Sequence, residues 1–446
     1  MRSNPDLRVD QTYKPKRKPR ILKQLPRSNQ TFPNMLSTHQ MPKRAEGKLS
    51  AIKKIIISER AAGRLRSGHV WVYASDVLND ANAAPGSLVH VVNTKGKVLG
   101  SAIHSSSSQL KVRMMGREEI GSEAELMDLV RQRLADAVKY REQVVRDSNA
   151  CRLVFSEADR LPGLIVDRYD QILTLQVLTQ AWDRPERRAI IVDTLRELTG
   201  VPNVVERVDE RIRDLEQLPV LESSVLCGSA GPSVFSMNGL QFHYDPLGGQ
   251  KTGAFLDQRE NYVAASRHTY GGDVLDMCTY QGGFALHLAL VCERVTAVDM
   301  SHEALEVAEQ NEKLNAHRLR NEIEWIEANA FDLMRDYSDA NRQYDVIVLD
   351  PPAFAKSKKS LVAAMRGYKE LNLRAMKMLR PGGTLITCSC SFAVGDEDFV
   401  EMLASAAVDA HRNVKLMEKR IQSKDHPVLL GVPETQYLKC FIAHIS

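Results

Sequence analysis

Cysteine is scarce in this 446-residue chain: seven residues, scattered except for Cys388 and Cys390. That usage argues against a disulfide framework and suits reduced thiols in a cytoplasmic protein. One Cys-x-Cys without a second cysteine pair gives no zinc site of usual spacing, so no metal is expected. No apolar run approaches the ~18 residues that span a bilayer, so no membrane partner is expected either. The first residues hold no apolar segment of signal-peptide type, which again points to the cytoplasm. No repeat of fixed period is present. What is there is an ordinary apolar share of 43% and a length equal to about three domains of ~150 residues.

Excess positive charge is also nearly absent, at +4 overall, but it is unevenly placed. Residues 1–48 hold 12 Lys and Arg against 3 Asp and Glu, a balance of +9, which leaves −5 for the rest. This segment is rich in Pro, Ser, Asn and Gln, lacks apolar periodicity, and is read as a disordered basic tail. Its cluster at Lys14, Lys16, Arg17, Lys18 and Arg20 suits either RNA phosphates or plain solvation. The remainder is not basic, so any case for nucleic acid rests on sites.

Along the chain the patterns change twice. Short strand-like runs at Ile52–Ile57, Ser87–Val92, Val98–His104 and Gln109–Met114, punctuated by Gly63, Gly68, Pro85-Gly86 and Gly96, predict a β-rich module over about 50–122. Residues 123–146 have helical apolar spacing. Strand-like segments at 152–155, 163–166, 172–178, 204–208 and 240–244 follow, with a helix at 185–199 opened by Asp183 and closed at Gly200. Residues 123–245 thus predict an α+β domain. From 246 to 446, β-branched runs at 274–277, 294–299, 323–327, 346–349 and 384–388 alternate with helices near 283–292, 302–315 and 361–380. That alternation predicts an α/β domain with a parallel sheet, whose ligands bind at the carboxyl ends of the strands.

Those ends carry the chemistry. The first reads Asp276-Met277-Cys278-Thr279-Tyr280-Gln281-Gly282-Gly283, and the second ends in Asp299. A glycine pair at a strand-to-helix turn admits a ligand close to the backbone. The acid some twenty residues on can accept both ribose hydroxyls of an adenosine cofactor. The turn lacks GxGxxG, and a carboxylate at Asp276 would repel a pyrophosphate yet pair with a methionine amino group, which favours S-adenosylmethionine. The carbonyl of Asn329, after the third strand, can accept the adenine amino group. The fourth strand ends in Asp350-Pro351-Pro352-Ala353-Phe354. There Asp350 can receive a cytosine amino group or protonated N3, and Phe354 can stack on a base. The fifth ends in Cys388-Ser389-Cys390-Ser391, where a thiolate could add to carbon 6 of a flipped-out cytosine. Period-two alternation suggests that both cysteines share one face. In the Gly248–Arg259 stretch, Lys251 and Arg259 suit RNA phosphate or a cofactor carboxylate, and Lys356 and Lys358 suit RNA phosphate. Plain alternatives exist for each: a capped loop, a solvated charge, a rigid strand exit, two structural cysteines.

From about residue 52 onward the sequence resembles the RlmI type of 23S ribosomal RNA cytosine-5 methyltransferase. The resemblance rests on Arg64–Val72, Ser156–Asp167, Gln250–Arg259, Asp350–Phe354, Cys388–Ser391, Asp425-His426-Pro427 and Tyr437-Leu438-Lys439. It implies an N-terminal β-barrel PUA domain that binds RNA, a central α+β domain, and a Rossmann-like methyltransferase domain using S-adenosylmethionine. It implies ribosomal RNA as partner and leaves a homodimer open. It implies cofactor contacts at Asp276, Cys278, Gly282, Gly283, Asp299, Asn329, Asp350, Gln258 and Arg259. In such enzymes the strand-five cysteine is the nucleophile, with an acid some six residues later. Asp396 stands there relative to Cys390, so the role goes to Cys390. The position that often holds a second cysteine is Ala353, which leaves the base for the carbon-5 proton among Cys388, Asp350 and water. Two other functions compete: a guanine methyltransferase related to the RlmK group, which needs no cysteine, and a non-catalytic RNA-binding assembly factor.

Overall fold

The computed structural model describes residues 52–248, 253–355 and 360–446, so the basic tail lies outside it. The first sheet comprises β1 (Lys53–Ile57), β2 (Trp71–Tyr73), β3 (Val77–Asn79), β4 (Leu88–Val92), β5 (Val98–His104) and β6 (Leu110–Gly116), in the order β2-β6-β5-β4-β1-β3. Gly63 does not punctuate strands as expected. It sits inside helix α1 (Glu59–Arg66), whose N-cap Ser58 accepts the Ala61 amide while Ala61, Ala62 and Leu65 are buried. Burial of that face and the cap outweigh the ~1 kcal/mol propensity cost of one glycine.

The second sheet holds β7 (Ala150–Phe155), β8 (Leu164–Tyr169), β9 (Ile172–Val177), β10 (Asn203–Glu206) and β11 (Ser224–Cys227), in the order β11-β10-β9-β8-β7. Helices α2 (Glu123–Val144) and α3 (Pro185–Thr199) add Leu126, Leu134, Ile191 and Leu195 to its core. The expected N-cap Asp183 is displaced: Arg184 occupies the cap with no side-chain bond, and Asp183 instead accepts from Arg188 and Arg213. Two guanidinium partners outbid one backbone amide.

The run Ser156–Asp167 is a joint. Glu157 accepts the Trp71 indole N–H at 2.9 Å from the first sheet. Asp159 takes a two-toothed bond from Arg141, whose Nη2 also reaches the Asp425 carbonyl at 2.8 Å. Arg160 adopts φ 58°, with its carbonyl held by Arg133. Gly163, at φ 74°, must be glycine, because a Cβ would lie 2.1 Å from Thr179. The Gly68 turn touches the backbone of Gly431 as well. The first sheet is therefore fixed to both later parts of the chain.

The hairpin β12 (Ser233–Met237) and β13 (Leu240–Tyr244) buries Phe235 and Phe242 in the same core as Phe284 and Leu286, so the packing has no break at residue 246. Helices α4 (Glu210–Leu215), α5 (Arg259–Arg267) and α6 (Gly283–Ala289) precede α7 (His302–Asn315), whose Asn311 and Asn315 accept the His243 and Gln241 amides.

The third sheet has seven strands: β14 (Asp273–Met277), β15 (Arg294–Asp299), β16 (Ile323–Glu327), β17 (Tyr344–Leu349), β18 (Leu379–Ser389), β19 (Val414–Arg420) and β20 (Lys439–Ile445). Their order is β16-β15-β14-β17-β18-β20-β19. The first five are parallel and β20 is antiparallel to both neighbours. Val274, Leu275, Val346, Ile347 and Val348 are all buried, as strands covered by helices on both faces require. The order reverses at β14, between β15 and β17, where such a sheet opens its ligand crevice. Register sets the site: Met277 pairs with Leu349 and Leu349 with Thr387, so Cys278, Asp350 and Cys388 follow in line at the carboxyl ends. No helix among the described residues is long and apolar enough to cross a membrane.

Candidate active site

A cavity of about 680 Å³ opens at those ends. Its wall includes Gln258, Cys278, Asp299, Asn329, Asp350, Phe354 and Cys390, seven of the residues singled out in the sequence. Among the described wall residues are three carboxylates, Asp257, Asp299 and Asp350, and no Lys or Arg.

The turn after β14 is built for this position. Cys278 (φ 63°), Tyr280 (φ 53°) and Gly282 (φ 84°) all take left-handed backbone, a cost of about 1 kcal/mol or more at each non-glycine, of a kind concentrated at ligand sites. Asp299 holds the turn: its Oδ2 accepts the Tyr280 amide at 2.8 Å and its Oδ1 the Ser301 amide at 2.9 Å. Each oxygen keeps a second lone pair for a ligand hydroxyl.

Asp276 lies behind this turn, fully buried and off the cavity wall. Oδ2 accepts the Thr279 hydroxyl at 2.6 Å, while Oδ1 has no partner of ordinary geometry among the described residues. Burial, only partly offset by Thr279, pushes its carboxyl up to about 7.

Gln258 is a buried relay. Its Nε2 donates to Asp350 Oδ2 at 3.0 Å, its Oε1 accepts from Asn261 at 2.6 Å, and Asn261 accepts from Arg420 at 2.8 Å. Asp350 is thereby oriented from below. Cys390 lies just past β18, half-buried, with its Sγ 4.0 Å from the Pro351 carbonyl. Ser391 Oγ accepts the Ala355 amide at 3.1 Å and sits 3.0 Å from Tyr368 Oη, which Ser389 also reaches at 3.0 Å. These hydroxyls tie the Asp350 loop to the Cys390 loop. Phe354 packs at 4.7 Å against Tyr368 and 5.8 Å against Phe331, between ring centroids.

Several expectations meet a different placement. Cys388 and Cys390 do not share a face: Cys388 is fully buried, paired in register with Cys440, and burial drives its thiol well up. Alternation fails because the strand ends at Ser389. Arg259 is off the wall, buried, and paired with Asp425 at 3.2 Å, so its charge is already met inside the protein. The Asn329 carbonyl caps helix α8 (Ala330–Asp339), accepting the Phe331 and Asp332 amides, which leaves its Nδ2 as the group with donors to spare. Gly282 and Gly283 are also off the wall. Added Cβ atoms would meet Trp325 at 2.8 Å and Tyr262 at 2.4 Å, so the pair admits neighbouring rings. Lys251, Lys356 and Lys358 lie outside the described residues. Among the described residues no His, Cys, Asp and Glu cluster could hold a metal ion.

Sequence reasoning missed Phe255 and Tyr280, whose rings meet at 4.7 Å on the wall. It also missed the tie of Tyr437 Oη to Asp257 Oδ2 at 2.6 Å. Tyr437 and Asp257 did stand in noted motifs, but 180 residues apart.

The comparisons with known proteins agree with this geometry. The profile described as S-adenosylmethionine-dependent methyltransferase matches residues 163–428, and a PUA-like domain profile matches 55–117. The fold matches a methyltransferase crystallised with SAH (TM-score 0.75, 18% identity, 88% of this chain and 100% of that one) and an S-adenosylmethionine-dependent methyltransferase fold from Streptococcus mutans (TM-score 0.74, 17% identity, the same coverage). The chain has the class of an S-adenosylmethionine-dependent methyltransferase with an N-terminal PUA-like domain. Ribosomal RNA large subunit methyltransferase I of Klebsiella pneumoniae is 34% identical over 402 residues, 89% of this chain and 99% of the relative. That of Erwinia tasmaniensis is 35% identical over 404 residues, 88% and 99%. The chain belongs to this large-subunit ribosomal RNA methyltransferase family.

The residues fit the cofactor. Among the described residues an all-acidic set of charged wall groups, backed by the buried Asp276 carboxylate, suits a ligand that carries both a sulfonium and an ammonium. The folded protein holds a proton on Asp276 up to about 7, well above an unfolded aspartate near 3.8. Cofactor-free stability therefore falls as pH rises between those values. A cationic ligand favours the carboxylate, so binding releases a proton below pH 7. Cofactor affinity should rise from pH 5.5 to 7, with proton release seen calorimetrically in buffers of different ionisation enthalpy. Asp276→Asn should abolish that release; wild type with flat affinity and no release would refute the assignment.

Proposed function

We propose that this chain methylates carbon 5 of a cytosine in large-subunit (23S) ribosomal RNA through a covalent adduct of Cys390 at carbon 6. The observation that carries the reading is that Cys390 and Asp350 line one cavity from the ends of neighbouring parallel strands. The names of the curated relatives support large-subunit ribosomal RNA as substrate.

When bound, S-adenosylmethionine supplies an electrophilic methyl group. Cys390 as thiolate adds to carbon 6, and the ring electrons shift to carbon 5, which takes the methyl group as the methyl–sulfonium bond breaks and its electron pair leaves with sulfur as S-adenosylhomocysteine. Asp350 accepts a hydrogen bond from the cytosine amino group or from protonated N3, favouring the electron-rich ring. Loss of the carbon-5 proton restores the double bond as the C–S bond breaks, returning the thiolate. Asp350, directly or through water, is the candidate to take that proton. Cys388, buried against Cys440, is a poor one. Phe354 offers a stacking edge to a flipped base. Lys356 and Lys358, next in sequence to Ala355, and Lys251 carry the charge that RNA phosphate requires.

The test is product identity. Purified protein incubated with S-adenosylmethionine and protein-free 23S RNA should yield 5-methylcytidine in digested nucleosides by mass spectrometry. A methylguanosine instead would move the chain to guanine chemistry.

A further inference from the structure

Lys439 stands in the Tyr437-Leu438-Lys439 motif, which the reaction above does not use. It opens β20, paired with Ser389 across β18, and only 5% of it is exposed. Its Nζ donates to the Ser391 carbonyl at 2.9 Å and the Val394 carbonyl at 2.7 Å. Those are the two ends of the turn that follows Cys390. A buried ammonium is costly unless it is paired and hydrogen-bonded, and neutral carbonyls alone satisfy only part of that need. Among the described residues, a few charged groups surround it. Burial pulls the Lys439 ammonium below the usual lysine range, and Asp396, Cys390 and Asp398 oppose that, the two acids lying at the start of helix α10 (Asp396–Ala410). Tyr368, from α9 (Leu361–Met378), also feels Cys390, and Asp350 lines the same cavity as Cys390. Of these groups only Lys439 is cationic. Asp396, the acid six residues after Cys390, lies in the first turn of α10 and answers Lys439.

We propose that Lys439 is a positioning residue for Cys390: its ammonium clamps the Ser391–Val394 turn and stabilises the thiolate beside it. This rests on the reading of Cys390 as nucleophile, but its consequence is testable without RNA. A thiolate next to a buried cation forms at lower pH and reacts faster near neutrality.

The experiment follows iodoacetamide alkylation of the Cys390 peptide against pH by mass spectrometry, in the full chain without RNA. Lys439→Gln keeps a donor for the turn and removes the charge. It should raise the midpoint by about one pH unit, slowing alkylation at pH 7 about tenfold. Lys439→Arg should keep the wild-type midpoint. A Gln variant with wild-type melting, wild-type cofactor affinity and an unshifted midpoint would overturn the proposal. If Gln prevents folding, the Arg variant decides: a folded Arg protein whose midpoint has risen by a unit overturns it equally, and an unshifted one supports it. Because alkylation needs no methyl transfer, a failure here is distinct from a failure of Cys390 as nucleophile, which activity alone reports.

Discussion

Cys390→Ala should lose methyl transfer by on the order of 10⁴-fold in kcat while binding S-adenosylmethionine as the wild type does. The magnitude is that of losing a nucleophile whose partners cannot act without it. Carbon 5 of cytosine is a weak nucleophile, and without addition at carbon 6 nothing in the cavity raises its reactivity by that factor. The thiol is half-buried on the cavity wall, 4.0 Å from the Pro351 carbonyl, so its removal leaves a small hole and little disturbance. Fold and cofactor site should persist, as a melting curve and a calorimetric titration would show. Cys390→Ser should be nearly as inactive, because a hydroxyl ionises far less readily than a thiol. Single-turnover methylation of 23S RNA is the measurement. Activity within tenfold of wild type in the Ala variant would end the covalent mechanism, whatever base is methylated.

Asp350→Asn should cost about 10³-fold in kcat, within the range for a lost acid–base partner, and less than about tenfold in cofactor affinity. The change is nearly isosteric. Gln258 Nε2, now 3.0 Å from Oδ2, forces the amide to present its oxygen to the relay. The NH₂ group then points into the cavity. There it meets the amino group of cytosine, donor against donor, and a site built to hydrogen-bond a group discriminates strongly against such a mismatch. The charge that favours protonated N3 is lost as well. Gln258→Ala should produce a milder version, since it frees the Asp350 carboxylate to turn without removing it. Should Asp350→Asn keep full kcat and lose cofactor binding instead, Asp350 belongs to the cofactor and base recognition lies elsewhere.

Much of the site was legible because parallel strands buried on both faces announce themselves as β-branched runs, and their carboxyl ends are where ligands go. Asp299, Asp350 and the Cys388–Cys390 pair were singled out that way, and Asp299, Asp350 and Cys390 line the cavity; the choice of Cys390 over Cys388 came from the family resemblance. Other residues were misjudged where the decisive neighbour is remote in sequence. Arg259 meets Asp425 166 positions on, and the glycine pair answers to Trp325 and Tyr262. The two cysteines were set on one face because no pattern marks where β18 ends or that Cys440 lies opposite Cys388. Asn329 did carry a local signal: Asn two residues before Phe331 and three before Asp332 is a helix N-cap composition. Lys439 was noted only as part of a family motif, because nothing local marks that β20 carries it, buried, to the Ser391–Val394 turn after Cys390.

The joint at Ser156–Asp167 has a further meaning for the reaction as a whole. Trp71 is bonded to Glu157, and Arg141 to both Asp159 and the Asp425 carbonyl, so the first sheet and the cavity keep a set separation. An RNA gripped at that sheet would be measured as well as held. Such a protein would work as a caliper, in which the span between the gripped element and the target nucleotide selects the site, and the second contact comes at the high effective concentration of a tethered ligand.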